Sequence, residues 1–176
     1  KMNLIYDALP YPNFVSLASK FLGMVMMSIF ILFLLMICGI MIQIIKGYPN
    51  IELGIYFAEL FTDTLFVMVL YIVLGLFIQA IVNHKFVGFG LMFLFYISFI
   101  VLDELGIEHT MFYFGRASLG QYSEMNEYGH YVTPFSWFNV YWFGLAAILY
   151  GTAILFTVRG LDSKFKVRLK LGRMRL

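Results

Sequence analysis

Charge is scarce in this sequence. Lys, Arg, Asp and Glu together make up 12% of its 176 residues, while 62% are hydrophobic and 19% aromatic. A water-soluble domain carries about twice that share of charge. So little charge over so much oil excludes an ordinary wetted surface and points to lipid as the solvent. Cysteine is rarer still: the single Cys38 excludes an internal disulfide and leaves the redox compartment open. No cysteine pair, no HExxH and no glycine-rich phosphate-cradling loop occurs, which excludes the common zinc sites and nucleotide binding by a P-loop. Ser16, Ser118 and Ser136 lack a base at a spacing that would activate them. No catalytic, cofactor-binding or metal-binding residue is therefore assigned, and the chain is not expected to be an enzyme by itself.

What the sequence has in abundance is long apolar runs. Phe21 to Ile45 contains neither a charge nor a proline and is bracketed by Lys20 and Lys46. As a helix it would be about 37 Å long, enough to cross a ~30 Å hydrocarbon core. Gly47, Tyr48, Pro49 and Asn50 form a turn. The stretch from Ile51 to Asp63, with Glu52, Glu59 and Asp63 among apolar residues, reads as an interfacial approach helix feeding a second span, 64–82. Asn83, His84 and Lys85 close that span and start a third, 86–102, so the two form an antiparallel hairpin. A fourth runs over 138–158, opened by Trp137, Tyr141 and Trp142 in the manner of an interfacial aromatic belt. The predicted fold is all-α, a polytopic membrane helix bundle of four transmembrane helices.

The segments between and beyond the spans set its orientation. Residues 1–20, punctuated by Asp7, Pro10, Pro12 and Asn13, read as a juxtamembrane segment leading into a short amphipathic helix, with Ser16 and Ser19 on offer as caps. Residues 103–137 form a long wet loop rich in Asp and Glu, with Arg116 as its one cation and many aromatics. The tail 159–176 carries Arg159, Lys164, Lys166, Arg168, Lys170, Arg173 and Arg175 against Asp162 alone. Cations beside a span stay in the cytoplasm. Both ends are then cytoplasmic, the 83–85 turn is inside, and the acidic loop lies outside. Lipid headgroups account for the tail without nucleic acid. Since the chain opens on Lys1, a piece of a longer protein is expected.

Three groups of residues stand out. Glu59 and Asp63, one helical turn apart at the mouth of the second span, are candidates for an outer vestibule, although two solvated carboxylates near a helix start would look the same. Gly144, Ala147 and Gly151 fall on one face of the fourth span and suit close helix packing, within the chain or against a second subunit. Glu108, His109, Glu124, Glu127 and His130 would have to gather to hold a metal; their spacing does not repeat, and solvated loop polars are the simpler reading. No full charge lies deep in any span, which argues against a self-contained ion-driven carrier.

The order of parts resembles an ABC-2-type transporter permease. The stretches that match are Asp7-Ala8-Leu9-Pro10 followed by Ser19-Lys20-Phe21, the turn Lys46-Gly47-Tyr48-Pro49, and the turn Asn83-His84-Lys85. A narrower likeness lies in Gly115-Arg116-Ala117-Ser118, in 122–129, in Pro134-Phe135-Ser136-Trp137-Phe138 with Tyr141-Trp142, and in Val158-Arg159-Gly160. These resemble bacterial proteins that join an ABC permease region to an M1-family aminopeptidase domain; Glu127 stands where a small residue is expected. The resemblance implies a multi-pass protein of the bacterial inner membrane whose Asp7, Leu9, Pro10 and Pro12 contact an ABC ATPase subunit. It implies a second permease half or protomer as partner, ATP bound on the partner subunit, and zinc only in a downstream peptidase domain. The function it implies is the permease segment of an ATP-driven exporter. The alternative is a non-transporting membrane anchor for an M1-type metallopeptidase domain.

Overall fold

The computed structural model describes residues 13–48, 50–82, 84–107, 109–117, 120, 122, 123 and 125–157. Helices dominate, and no strand forms among the described residues. The first helix, α1, is Asn13–Ile45, 33 residues and about 50 Å at the usual rise. It replaces the expected short amphipathic helix and separate span from Phe21 with one unbroken element. Nothing after Pro12 interrupts backbone bonding until the glycine turn, so the helix runs through Lys20. Ser19 is accordingly no cap; its hydroxyl donates to the Val15 carbonyl at 2.8 Å inside the helix.

The glycine turn has a definite mechanism. Tyr48 N–H bonds the Gln43 carbonyl at 3.1 Å and Gly47 N–H the Ile44 carbonyl at 2.9 Å, with Gly47 at φ +80°. This is the Schellman closure, which satisfies carbonyls left over at a helix end and needs a left-handed residue.

The second helical run, Leu53–Val82, is also continuous. It begins as α2, Leu53–Phe57, passes through a π-helical segment, Ala58–Thr64, and continues as α3, Leu65–Val82. The expected approach helix and span are therefore one element with a change of register between them. The third, α4, is Lys85–Glu104 and closes by the same glycine device, with Gly106 at φ +71°. The last, α5, is Val132–Phe156 and follows a 3₁₀ turn, Gly129–Tyr131. It starts six residues before the predicted 138. Pro134 does not delay it, because a proline in the first turn gives up an N–H that has no helical partner. All four helical runs are long and apolar enough to cross a membrane.

The chain divides into two compact units. In one, comprising 1–22, 72–108 and 145–176, Leu17, Leu76 and Ala153 form a buried cluster. Phe21 packs on Tyr150 there with ring centroids 5.4 Å apart. Almost the whole of α4 stays uncovered: Gly88 is its one buried residue, set against the Gln79 side chain. Phe86, Phe89, Phe93, Tyr96 and Ile100, three or four residues apart, are each more than half exposed. Water tolerates few such patches, whereas acyl chains solvate them at no cost. The other unit, 23–71 with 109–144, buries Leu32, Met36, Leu70, Tyr113, Phe114, Ala117, Phe135 and Trp142. It contains the candidate site.

Candidate functional site

The site is built on the π-helical segment. Here Leu65 N–H reaches the Leu60 carbonyl, five residues back, and the Thr64 hydroxyl donates to the Glu59 carbonyl at 2.9 Å. A π turn holds an extra residue, fits poorly, and recurs at functional positions in helices. Local pinning explains it. On the near side, Tyr56 donates its hydroxyl to Gln43 Oε1 at 2.9 Å, and Gln43 Nε2 donates to the Asn50 carbonyl at 2.8 Å. The Tyr56 ring lies 3.1 Å from where a Cβ on Gly39 would stand, so a larger residue there would press on the ring. On the far side, Leu70 is buried at the packed start of α3. With both flanks held, the surplus residue between them is taken up as a π turn.

The loop is the second component. Much of the loop is exposed, as expected of a wet segment, but Tyr113, Phe114 and Ala117 within it are buried. Phe114 meets Tyr71 edge-on at 5.6 Å and Trp142 at 5.2 Å. Gly115 comes so near Leu70 that a Cβ there would sit 3.2 Å from the leucine methyl. Arg116 places its guanidinium 4.6 Å from the centre of the Tyr113 ring, a contact in which the ring face stands in for an anion. Further along, Ser123 N–H bonds the Glu127 carbonyl at 2.9 Å and closes a tight turn. Glu127 takes φ +49° in that turn, a conformation that small residues adopt with less strain.

That turn delivers Tyr128 to the π segment. Its hydroxyl donates to Glu59 Oε1 at 3.0 Å, and its ring meets Tyr122 edge-on at 5.4 Å. The phenol is pushed up to about 12, first by burial, then by its hydrogen bond to Glu59, and also by the charges of Glu59, Tyr122 and Asp63. It stays a neutral donor at any ordinary pH. The arrangement holds one carboxylate by a loop phenol and leaves a second, half-buried Asp63, one turn along.

The other predicted residues fare differently. Gly144, Ala147 and Gly151 are exposed, and a Cβ on either glycine would meet nothing within 4 Å. Among the described residues α5 buries Trp142, Ala146 and Ala153. Of the expected aromatic belt, Trp137 is 72% exposed but Trp142 is buried. Among the described residues no three His, Cys, Asp or Glu gather to hold a metal; Glu108 and Glu124 lie outside those residues. His109 Nδ1 accepts the Met111 N–H at 3.3 Å and caps the short 3₁₀ turn Thr110–Phe112. Asp7, Leu9, Pro10 and Pro12, and the tail 159–176, also lie outside the described residues.

Sequence reasoning missed two features. Tyr128 is separated from Glu59 by 69 positions, and nothing marks it among 12 tyrosines. Asn139 Oδ1 and Trp142 Nε1 are the other: both are buried without a hydrogen-bond partner among the described residues. They lie three residues apart on one helix face, and each uncompensated atom costs about 1–3 kcal/mol.

No protein-family model, no curated protein and no solved structure matches this chain.

Proposed function

We propose that this chain is the membrane-spanning permease segment of an ATP-driven exporter of the ABC-2 type, in the bacterial inner membrane with both ends cytoplasmic. The observation that carries the reading is the distribution of charge over four helices long enough to span. No Asp, Glu, Lys or Arg occurs within 21–45, 64–82, 86–102 or 131–156. A path through such helices has no ionisable group of its own to couple to an ion gradient, so its energy must come from elsewhere. An ATPase subunit acting on Asp7, Leu9, Pro10 and Pro12 is the source in this reading, with a second permease half or protomer completing the path. The acidic pair Glu59 and Asp63, with the aromatic loop over it, then sits at the outer end. The stripe Gly144, Ala147 and Gly151, uncovered in the single chain, is available to that second half. Any peptidase activity, and the zinc it needs, would belong to a separate domain.

Alanine substitutions across Asp7, Leu9, Pro10 and Pro12 in the whole detergent-solubilised protein test this. Recovery of an ATPase on affinity purification should fall several-fold. Unchanged recovery counts against coupling through this segment, and the absence of any ATPase in the wild-type preparation favours the second reading. That reading, an anchor for an M1-type metallopeptidase domain, is favoured by the same charge-free stretches within the helices, since an anchor needs no ionisable group in the bilayer.

A further inference from the structure

The π segment is held from both sides by phenols. Tyr56 clasps α2 to Gln43 of α1, and Tyr128 clasps the loop to Glu59 within the segment itself. Neither side is closed by a proline or a disulfide, so the register rests on these contacts and on apolar packing. A π turn is the less favourable form of helix and reverts to α once nothing holds the surplus residue. Reversion moves one flank by one residue relative to the other, about 100° of rotation and about 1.5 Å of rise. The flank free to move is α2, five residues long with none buried; α3 is anchored through Leu70, Val73, Leu74 and Leu76. Such a rotation carries Glu59 away from Tyr128.

We propose that Ala58–Thr64 is a two-register switch whose π form is maintained by the docked loop through the Tyr128–Glu59 hydrogen bond, with Tyr56–Gln43 as its second clasp. In the π form the loop phenol occupies Glu59. In the α form Glu59 turns away, the phenol loses its acceptor, and the acidic pair is uncovered. Loop position and helix register thus bias one another, which is what coupling between two parts of a protein requires. The switch holds equally for a transporter or an anchor, so its failure leaves the proposed function standing and the reverse is also true.

The test is a distance measurement by pulsed spin resonance on the full chain, with labels at Met26→Cys and Leu53→Cys in a Cys38→Ser background. Both labelled positions are exposed. A side chain on a helix of ~10–12 Å diameter swings about 8 Å through such a rotation. With Tyr56→Phe, the loop clasp still acts and one distance is expected. With Tyr56→Phe/Tyr128→Phe a second population should appear, shifted by up to about 8 Å. Deleting the exposed Thr62 removes the surplus residue, lets the run be α throughout with its flanks facing as before, and should abolish that second population. A single unshifted distance in the double variant overturns the proposal. So does a full shift with Tyr56→Phe alone, or a second population that survives deletion of Thr62.

Discussion

Tyr128 ties the loop to Glu59, and its chemistry makes a direct check possible. Its phenol is raised from 10.0 to about 12, so the folded state favours the protonated form. The stability this confers is fully present below the ordinary tyrosine range and is lost as pH rises through about 12, when donor becomes phenolate beside carboxylate. Ring-carbon NMR of labelled tyrosine should show one residue titrating near 12, assigned by its loss in Tyr128→Phe. In Glu59→Gln the acceptor remains but the charge is gone, and that residue should titrate closer to the others. Glu127 supports a second prediction. Its left-handed backbone costs about 1 kcal/mol, and Glu127→Gly should raise thermal stability by about 0.5–1 kcal/mol in detergent. The sequence made part of this readable. Glu59 and Asp63 stood out by their spacing, and the family resemblance implied a small residue at 127, where the backbone is left-handed. Tyr128 could not be singled out, because a bond across 69 positions leaves no local trace.

At the scale of elements, helix existence was legible and helix extent was not. Apolar runs identify spans, yet backbone bonding continues wherever no residue stops it, whatever the side chains face. Hence α1 carries on through Lys20, and α5 begins at Val132 ahead of its aromatic cluster. The glycine ends were visible as turn signals, and their geometry yields a measurable consequence. Gly106→Ala puts a Cβ into a left-handed site and should cost about 1 kcal/mol, read as a lower midpoint of thermal unfolding. Gly23→Ala, inside α1 with nothing within 4 Å of the added Cβ, should be neutral or stabilising. The π segment was invisible because it is not encoded locally. It arises from Tyr56 and Leu70 fixing the two flanks while the count of residues between them is one too many for an α-helix.

For the molecule as a whole, the exposed apolar surface of α4 and the four helical runs long and apolar enough to cross a membrane are consistent with lipid as the solvent. The proposed orientation, with the basic tail inside, is checked by reporter fusions: those at Asn83 and at the C-terminus should be active on the cytoplasmic face, and one at Tyr122 on the opposite face. A C-terminal reporter active outside would reverse the arrangement and move the acidic pair to the inner surface. The small stripe on α5 was legible as a row of residues on one helix face, and the fold shows that the described residues leave it exposed.

The length of α1 has a mechanical corollary. Thirty-three residues without a kink-forming proline behave as one stiff rod, longer than the oil it would cross by about 20 Å. Threaded through a bilayer, α1 would leave about that length of helix projecting beyond the hydrocarbon. Inserting a proline near Lys20 would remove a backbone hydrogen bond and kink the rod there.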